Sequence, residues 1–495
     1  MSEPVERPTY GNIHTPNTNY LGGVGKKTFY LLVVAIASGL LMLMLGIWIL
    51  GIVILTVVAI GWALMRMRFN NRSGFELLSI GWRSGTEHRT GANILRAGAL
   101  SNQAGGRTRL PGIAAATEMW WGIDTLGRRF AMIYMPSTAQ YTVVLRCTAP
   151  GFAGAEQDRI NLDVASWGEF INVNGQAGDV AGIATVTETL PETGARAAAN
   201  IAEMCAPGGS PLAQQAVRET QTAADSDGMQ IYTRMAITWK AKTSQQKKNP
   251  MIMIGDLAER IPTICENLSH LRVVAVPMSD HLLAATVRRS YDPRPSVEAA
   301  VERILRTDEP VVAWSDAGPL TTEGTKASYF HDGAVSRTWE MSVAPRGALH
   351  EGILAVLLAP NPRVPRKRVT LIHRPLSPAD AATAVEQGFV NAVNESGTQK
   401  GVSTARGELA LRAARQTRDE EAAGSGVTDF ALLVTVTADT EAELDRIAED
   451  VVEIGVQARL GLRPCWRFQP AAFLASLGVG VLLPDHATTP KSLQA

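Results

Sequence analysis

The chain has 495 residues, with 47 Lys and Arg against 47 Asp and Glu, a formal net charge of zero, and 46% hydrophobic residues. That length can bury the cores of several compact units, and the balanced charge excludes a general attraction to nucleic acid. Cys147, Cys205, Cys265 and Cys465 are far apart and form no C-x-x-C pair, which excludes a thiolate metal cluster and reads as reduced, buried thiols.

The charge is unevenly placed. Residues 1–110 carry 11 basic residues against 4 acidic ones, leaving 36 against 43 for the remainder. Near the start, "NYLGGVGKKTFYLL" resembles a phosphate-binding loop, but the G-x-x-x-x-G-K-[ST] spacing fails: Tyr20 stands where the first Gly should be, and Lys27 where a hydroxyl should be. From Thr28 to Met65, 38 residues pass without a charge. As one helix they would extend about 57 Å, nearly twice the roughly 30 Å of a bilayer core, so the run predicts a transmembrane hairpin turning near Gly46, Trp48 and Gly51. A single tilted span with an interfacial segment is the competing reading, and a cleaved signal peptide is disfavoured by the length of the run. Lys26 and Lys27 precede it, and Arg66, Arg68 and Arg72 follow it. These flanking charges place both termini in the cytoplasm of a multi-pass protein of the cell (inner) membrane.

The predicted organisation is a tail at 1–27, the hairpin at 28–65, a basic connector at 66–110, α+β units at 111–225 and 226–310, a strand-rich segment with a long polar helix at 311–426, and a βα unit with a tail at 427–495. In the connector a short helix is expected around Phe75–Trp82, resting on lipid. A basic arm with aromatics also suits nucleic acid, but lipid headgroups are adjacent. Two strands flank "DTLGRR", and a third alternates Tyr141, Val143, Leu145 and Cys147 on one face. There follow a helix carrying Ile160, Val164, Trp167 and Ile171, a strand over "DVAGIATVTETLP", a helix at about 195–223, a strand at 229–241, a helix at about 251–269, the strand "LRVVAVP", and a helix from Ser279 to Ser290. Strands are expected at "EPVVAWSD", "SYFHDGAVSRTWEMSVAP", "GILAVLLAP" and "RKRVTLIHRP", then a polar helical stretch from Pro378 to Gly426. "DFALLVTVTA" alternates as a strand and feeds an amphipathic helix with Thr440 and Glu443 at capping-box spacing. The fold class is therefore α+β: a transmembrane hairpin followed by a cytoplasmic body of repeated strand-helix-strand, ferredoxin-like units with mostly antiparallel sheets.

The chemistry-bearing residues form no catalytic constellation. His350-Glu351 lacks the second His of H-E-x-x-H, and no G-x-S-x-G occurs. Ser279, Asp280 and His281 are consecutive at a helix start and do not face one another, so Ser279 reads as an N-cap. His331-Asp332-Gly333 and "ADSDGMQ" read as turns. The cluster Arg363, Arg366, Lys367 and Arg368 reads as a solvated loop or as a contact for an acidic partner surface or DNA. Trp120, Trp121, Trp167, Trp239, Trp314, Trp339 and Trp466 lie in or beside expected elements and read as core. No cofactor is expected.

Taken together, "GNIHTPNTNYLGGVGKKTFYLL", "MPSTAQYTVVLRC" and "ITWKA" resemble actinobacterial integral membrane proteins encoded beside conjugation-type secretion genes. The hairpin is similar to the small PrgI-like subunit of type IV secretion systems. "DFALLVTVTADTEAELDRIAEDVVEIGVQARLGLRPCWRFQPAAFLASLGVG" is similar to the N-terminal, non-catalytic domain of the large conjugative ATPase, with Ala472, Phe473, Leu477 and Gly480 in its "aF...lP.G" segment and Gly478 where that family usually has Pro. The resemblance implies a non-catalytic assembly subunit, in an oligomeric complex, that anchors and docks a separate secretion ATPase and sibling subunits. A type VII-like secretion subunit and a membrane-tethered enzyme of unknown reaction are the alternatives.

Overall fold

The computed structural model describes residues 26–69, 72–99, 101, 104–151, 154–204, 208–223, 228–345, 349–397, 405–424 and 426–487. It opens with helices α1 (Lys26–Met44) and α2 (Trp48–Arg66), followed by the short strands β1 (Arg68–Phe69) and β2 (Arg72–Ser73), helix α3 (Gly74–Thr90) and strand β3 (Ile94–Arg96). The first half of the body contains β4 (Glu118–Ile123), β5 (Arg129–Met135), β6 (Gln140–Thr148), α4 (Gln157–Gln176), β7 (Val180–Pro191), α5 (Ala195–Met204), α6 (Pro211–Ala223), β8 (Met229–Lys240), α7 (Ser244–Lys248), α8 (Pro250–His270) and β9 (Val274–Pro277). Helices α9 (Asp280–Tyr291) and α10 (Pro295–Thr307) lead to the second half: β10 (Thr321–Gly324), β11 (Tyr329–His331), β12 (Ala334–Val343), α11 (Ala355–Leu358), β13 (Lys367–Pro375), α12 (Pro378–Gly397), α13 (Ala405–Ala422), β14 (Thr428–Ala438), α14 (Glu441–Gln457) and β15 (Gly461–Pro464). Helix α15 (Gln469–Ser476) follows.

The body is built on one 13-stranded sheet, ordered β3-β10-β11-β12-β14-β13-β7-β8-β6-β5-β4, with β15 added at β12 and β9 at β6. Every pairing in it is antiparallel. The two halves repeat the same topology. In one, β6 takes β5 and β9 along one edge and β8 along the other, with β7 beyond. In the other, β12 takes β11 and β15 along one edge and β14 along the other, with β13 beyond. Each half is thus a split β-α-β arrangement, and each inserts a helical pair (α5 and α6, or α12 and α13) at the corresponding place. The halves join where β7 meets β13, centred on the Val186–Thr370 pair, which makes the repeat an approximate twofold.

Alternation decides the faces. Along β6 and β8, Tyr141, Val143, Leu145, Met235, Ile237 and Trp239 meet Phe170 of α4 and Met253, Leu257 and Ile261 of α8 in a buried cluster. On the same principle Val434 and Val436 meet Leu444, Ile447, Val451 and Ile454 of α14. The opposite face is partly polar. It is covered by α9, α15 and the segment after α15, through Leu283, Val287, Tyr291, Phe473, Leu477 and Leu482. Thr440 caps α14 by accepting from Glu443 N at 3.3 Å, and Ser279 caps α9 by accepting from Leu282 N at 3.3 Å.

Several expectations are corrected. Among the described residues no helix is long and apolar enough to cross a membrane, so the transmembrane hairpin of the expected fold class is not the fold found. The turn at Leu45–Ile47 divides the uncharged run into pieces of about 26 and 27 Å, each short of the roughly 30 Å hydrocarbon core. The body is one continuous antiparallel sheet instead of a chain of separate small sheets. "GILAVLLAP" forms the single turn of α11, where Leu357 packs on the α14 cluster, and "EPVVAWSD" pairs with no strand. The connector helix is twice the expected length. Of the tryptophans, Trp239 and Trp339 are fully buried, whereas Trp121 and Trp466 are exposed. Each of those two takes a cation instead, with the Arg129 guanidinium 4.3 Å from the Trp121 ring and Lys326 Nζ 5.9 Å from the Trp466 ring.

Candidate functional site

Helices α1 and α2 form a tight antiparallel pair because glycines let them approach. A Cβ on Gly51 would sit 2.7 Å from Leu43 and 2.9 Å from the Gly39 carbonyl, and Gly46 takes φ 80° in the turn between them. The hydroxyls of Ser38 and Thr56 donate to Ala35 O and Ile52 O in their own helices, at 2.9 and 2.8 Å. Outward, the pair presents almost unbroken hydrocarbon. Met44 is 87% exposed, Ile49 82%, Trp48 67% and Val34 65%, with Leu40, Leu41, Ile52, Val53, Val57 and Ile60 also exposed. A patch of this kind on a folded protein marks an interaction surface.

The flanking cations are divided. The side chains of Lys26, Lys27, Arg66 and Arg68 lie outside the described residues. Arg72 faces the body: it donates to Glu340 at 2.6 Å and lies 4.6 Å from the Phe468 ring, while Arg463 donates to the same Glu340 oxygen at 2.9 Å. It therefore joins the hairpin region to β12 and the chain before α15. Close backbone approach continues this joint. A Cβ on Gly74 would meet the Leu64 carbonyl at 2.7 Å, and one on Gly81 would strike the Arg467 guanidinium.

The cluster expected as a solvated loop is mostly turned inward. Arg363 is exposed, with Asp450 at 3.5 Å. Arg366 donates to Pro293 O at 3.0 Å, and Lys367 to Ala359 O at 2.8 Å, where burial brings its pKa down to about 8. Arg368 donates to Glu188 Oε1 at 2.9 and 3.0 Å. Glu188, itself 3% exposed, also accepts from Arg234 and Arg289, each at 3.1 Å. Burial alone would raise the Glu188 carboxyl, but the fields of Arg368, Arg234 and Arg289 overcome it and hold the group well below the usual carboxylate range. Burial pushes Arg234 down to about 10. Arg234 also donates to Leu477 O at 3.0 Å, and Thr370 Oγ to Ser476 O at 2.7 Å, so this seam between the halves ties down the segment after α15. Sequence reading missed Glu188 and Arg234. Their one signal is a charged residue breaking the apolar alternation of each strand.

The constellations considered for catalysis have structural roles. Ser279 is a cap. Asp280 gives both oxygens to Arg129 at 2.7 and 3.0 Å, with His281 Nδ1 3.7 Å away. Asp332 accepts from Leu320 N and Thr321 N at 2.7 and 3.0 Å, as a turn residue should. His331 is buried, with Nδ1 2.6 Å from Tyr291 O and Nε2 2.7 Å from Ser336 Oγ, and burial lowers its pKa to about 4. Residues 224–227 of "ADSDGMQ" lie outside the described residues, as does Cys205, while Cys147, Cys265 and Cys465 are free and buried. Among the described residues no group of three His, Cys, Asp or Glu could hold a metal. A cleft of about 810 Å³ runs between the residues before β4 and 310–316, lined by Arg109, Thr117, Glu118, Asp280, His281 and Trp314. Trp314 Nε1 donates to Thr117 Oγ at 3.1 Å, and Ser315 Oγ donates to Asp316 Oδ2 at 3.3 Å on the exposed wall. Compared with models of known families and with curated proteins, the chain matches none.

Proposed function

We propose that this chain is a non-catalytic assembly subunit at the cell (inner) membrane, in a secretion machine of the type IV, conjugation kind. The exposed hydrocarbon of α1 and α2 carries the reading: a hairpin with its hydroxyls turned back on its own backbone and its outer faces apolar suits lipid. Resting on one leaflet without crossing it, the pair holds the body on that side of the membrane. The basic residues beside it suit an anionic leaflet. The body, fixed to the hairpin through Arg72, Glu340 and Arg463, is held close to the membrane, which raises its effective concentration for partners there. Those partners are a separate ATPase and sibling subunits.

The test is purification of the tagged full chain in mild detergent from cells carrying its native gene neighbourhood. Co-isolation of an ATPase in a stoichiometric complex supports the reading. A lone monomer, or a preparation that hydrolyses ATP with no second polypeptide, overturns it.

A further inference from the structure

Where the two halves meet, the cations outnumber the acids. The guanidiniums of Arg234, Arg289, Arg366 and Arg368 converge on the polar face of the sheet, and the carboxylates facing them there are Glu188 and Glu298. Asp439 adds its field only from the exposed rim beside Arg366. Buried charge left partly unmatched is costly, so such a seam favours one more negative charge.

A small cavity of about 20 Å³ opens at this point, lined by Glu188, Arg289, Ser290, Arg366, Arg368 and Thr435 among others. That is room for a single water-sized species. Two observations say which charge it should carry. Arg289 is 4% exposed, yet its Nε has no acceptor among the described residues. Arg366, at the half-buried rim, donates to a neutral carbonyl, Pro293 O, at 3.0 Å, and among the described residues no carboxylate accepts from it. Thr435 Oγ lies 2.9 Å from Thr338 Oγ and can turn its proton either way. Thr437 contributes wall only. His331 Nδ1 must donate to the Tyr291 carbonyl, so Ser336 donates to Nε2 and Thr437, 2.7 Å away, donates to Ser336.

We infer that this cavity is a binding site for one small monovalent anion, chloride in kind, held between Arg289 and Arg366 where β7, α9 and β13 meet. The anion would balance the seam and lock the halves in register at the twofold. Gluconate is too large to enter, whereas bromide is close to chloride in size.

The test uses the purified full chain at constant ionic strength, with sodium chloride exchanged against sodium gluconate, and crystals grown in sodium bromide. Raising chloride from about 1 to 100 mM should raise Tm saturably, by about 1–3 °C, with gluconate without effect. Arg366→Gln should weaken the chloride dependence at least tenfold, while Arg363→Gln should leave it intact. Bromide should give an anomalous peak between Arg289 and Arg366. Equal melting in both salts, an unchanged chloride dependence in Arg366→Gln, or a water in place of the peak would each overturn the assignment.

Discussion

Replacing Glu188 by Gln removes the carboxylate shared by Arg234, Arg289 and Arg368 while preserving its shape. All three guanidiniums are nearly as buried as the acid, so none can recover its charge interaction from water. Breaking a buried ionic network from one side costs about 3–5 kcal/mol, mostly the penalty of the charges left behind. In a body of this size that loss should lower Tm by about 3–6 °C. The assay is denaturant and thermal unfolding of Glu188→Gln beside an exposed control, Glu323→Gln, which should be neutral within about 0.5 kcal/mol. The pH dependence sharpens the test. Because the folded-state pKa of Glu188 is depressed, its contribution is fully present above the unfolded value and lost only as pH falls below the ordinary carboxylate range. Between pH 7 and 5 the difference between wild type and variant should therefore stay constant. A variant that melts within about 1 °C of wild type would refute the reasoning.

Burial holds His331 and His373 neutral, each at a pKa of about 4. The unfolded chain takes up protons near pH 6.5 and the folded chain does not, so stability should fall from pH 6.5 to pH 4 by about 3 kcal/mol per histidine. His331→Gln should flatten its share of that slope in a pH series of denaturation midpoints. Gly478 has φ 69°, and a Cβ there would meet Val186 Cγ2 at 2.6 Å, so Gly478→Ala should lose about 1–3 kcal/mol, read by the same midpoints. The same positive φ excludes proline at 478. Arg72→Ala should loosen the joint between hairpin and body, seen as faster proteolysis or amide exchange near α3 and β12, with the cores of α8 and α14 unchanged.

The strands with clean alternation were legible in the sequence because one covered face of each is apolar and the other partly polar: β6, β8 and β14 carry most of their apolar residues at every second position, with Thr142, Arg234, Thr238 and Thr435 buried between them. The glycine turn at 46 and the caps at Ser279 and Thr440 were legible through local chemistry. What could not be read is long-range. Nothing between Pro191 and Met229 says that the strands on either side of α5 and α6 pair, and nothing in either strand says that β7 also pairs with β13 to join the halves into one sheet. The apolar run at 352–360 is too short for periodicity to tell helix from strand, and the contact of Leu357 with the α14 cluster decides it. The 363–368 cluster reads as solvated from its prolines and charges. Arg368 turns inward because β13 sets it opposite Glu188, a residue 180 positions away.

The most direct measurement of the central proposal is flotation of the full chain with anionic lipid vesicles, without detergent. Wild type should rise with the vesicles. A Val34→Asp, Val57→Asp variant should stay at the bottom with its body melting unchanged, since each Asp puts a charge into exposed apolar surface near the middle of its helix, where contact with lipid is costly. Wild-type protein that stays at the bottom as a folded monomer, or a variant that floats as well as wild type, would contradict the assignment of the hairpin to lipid.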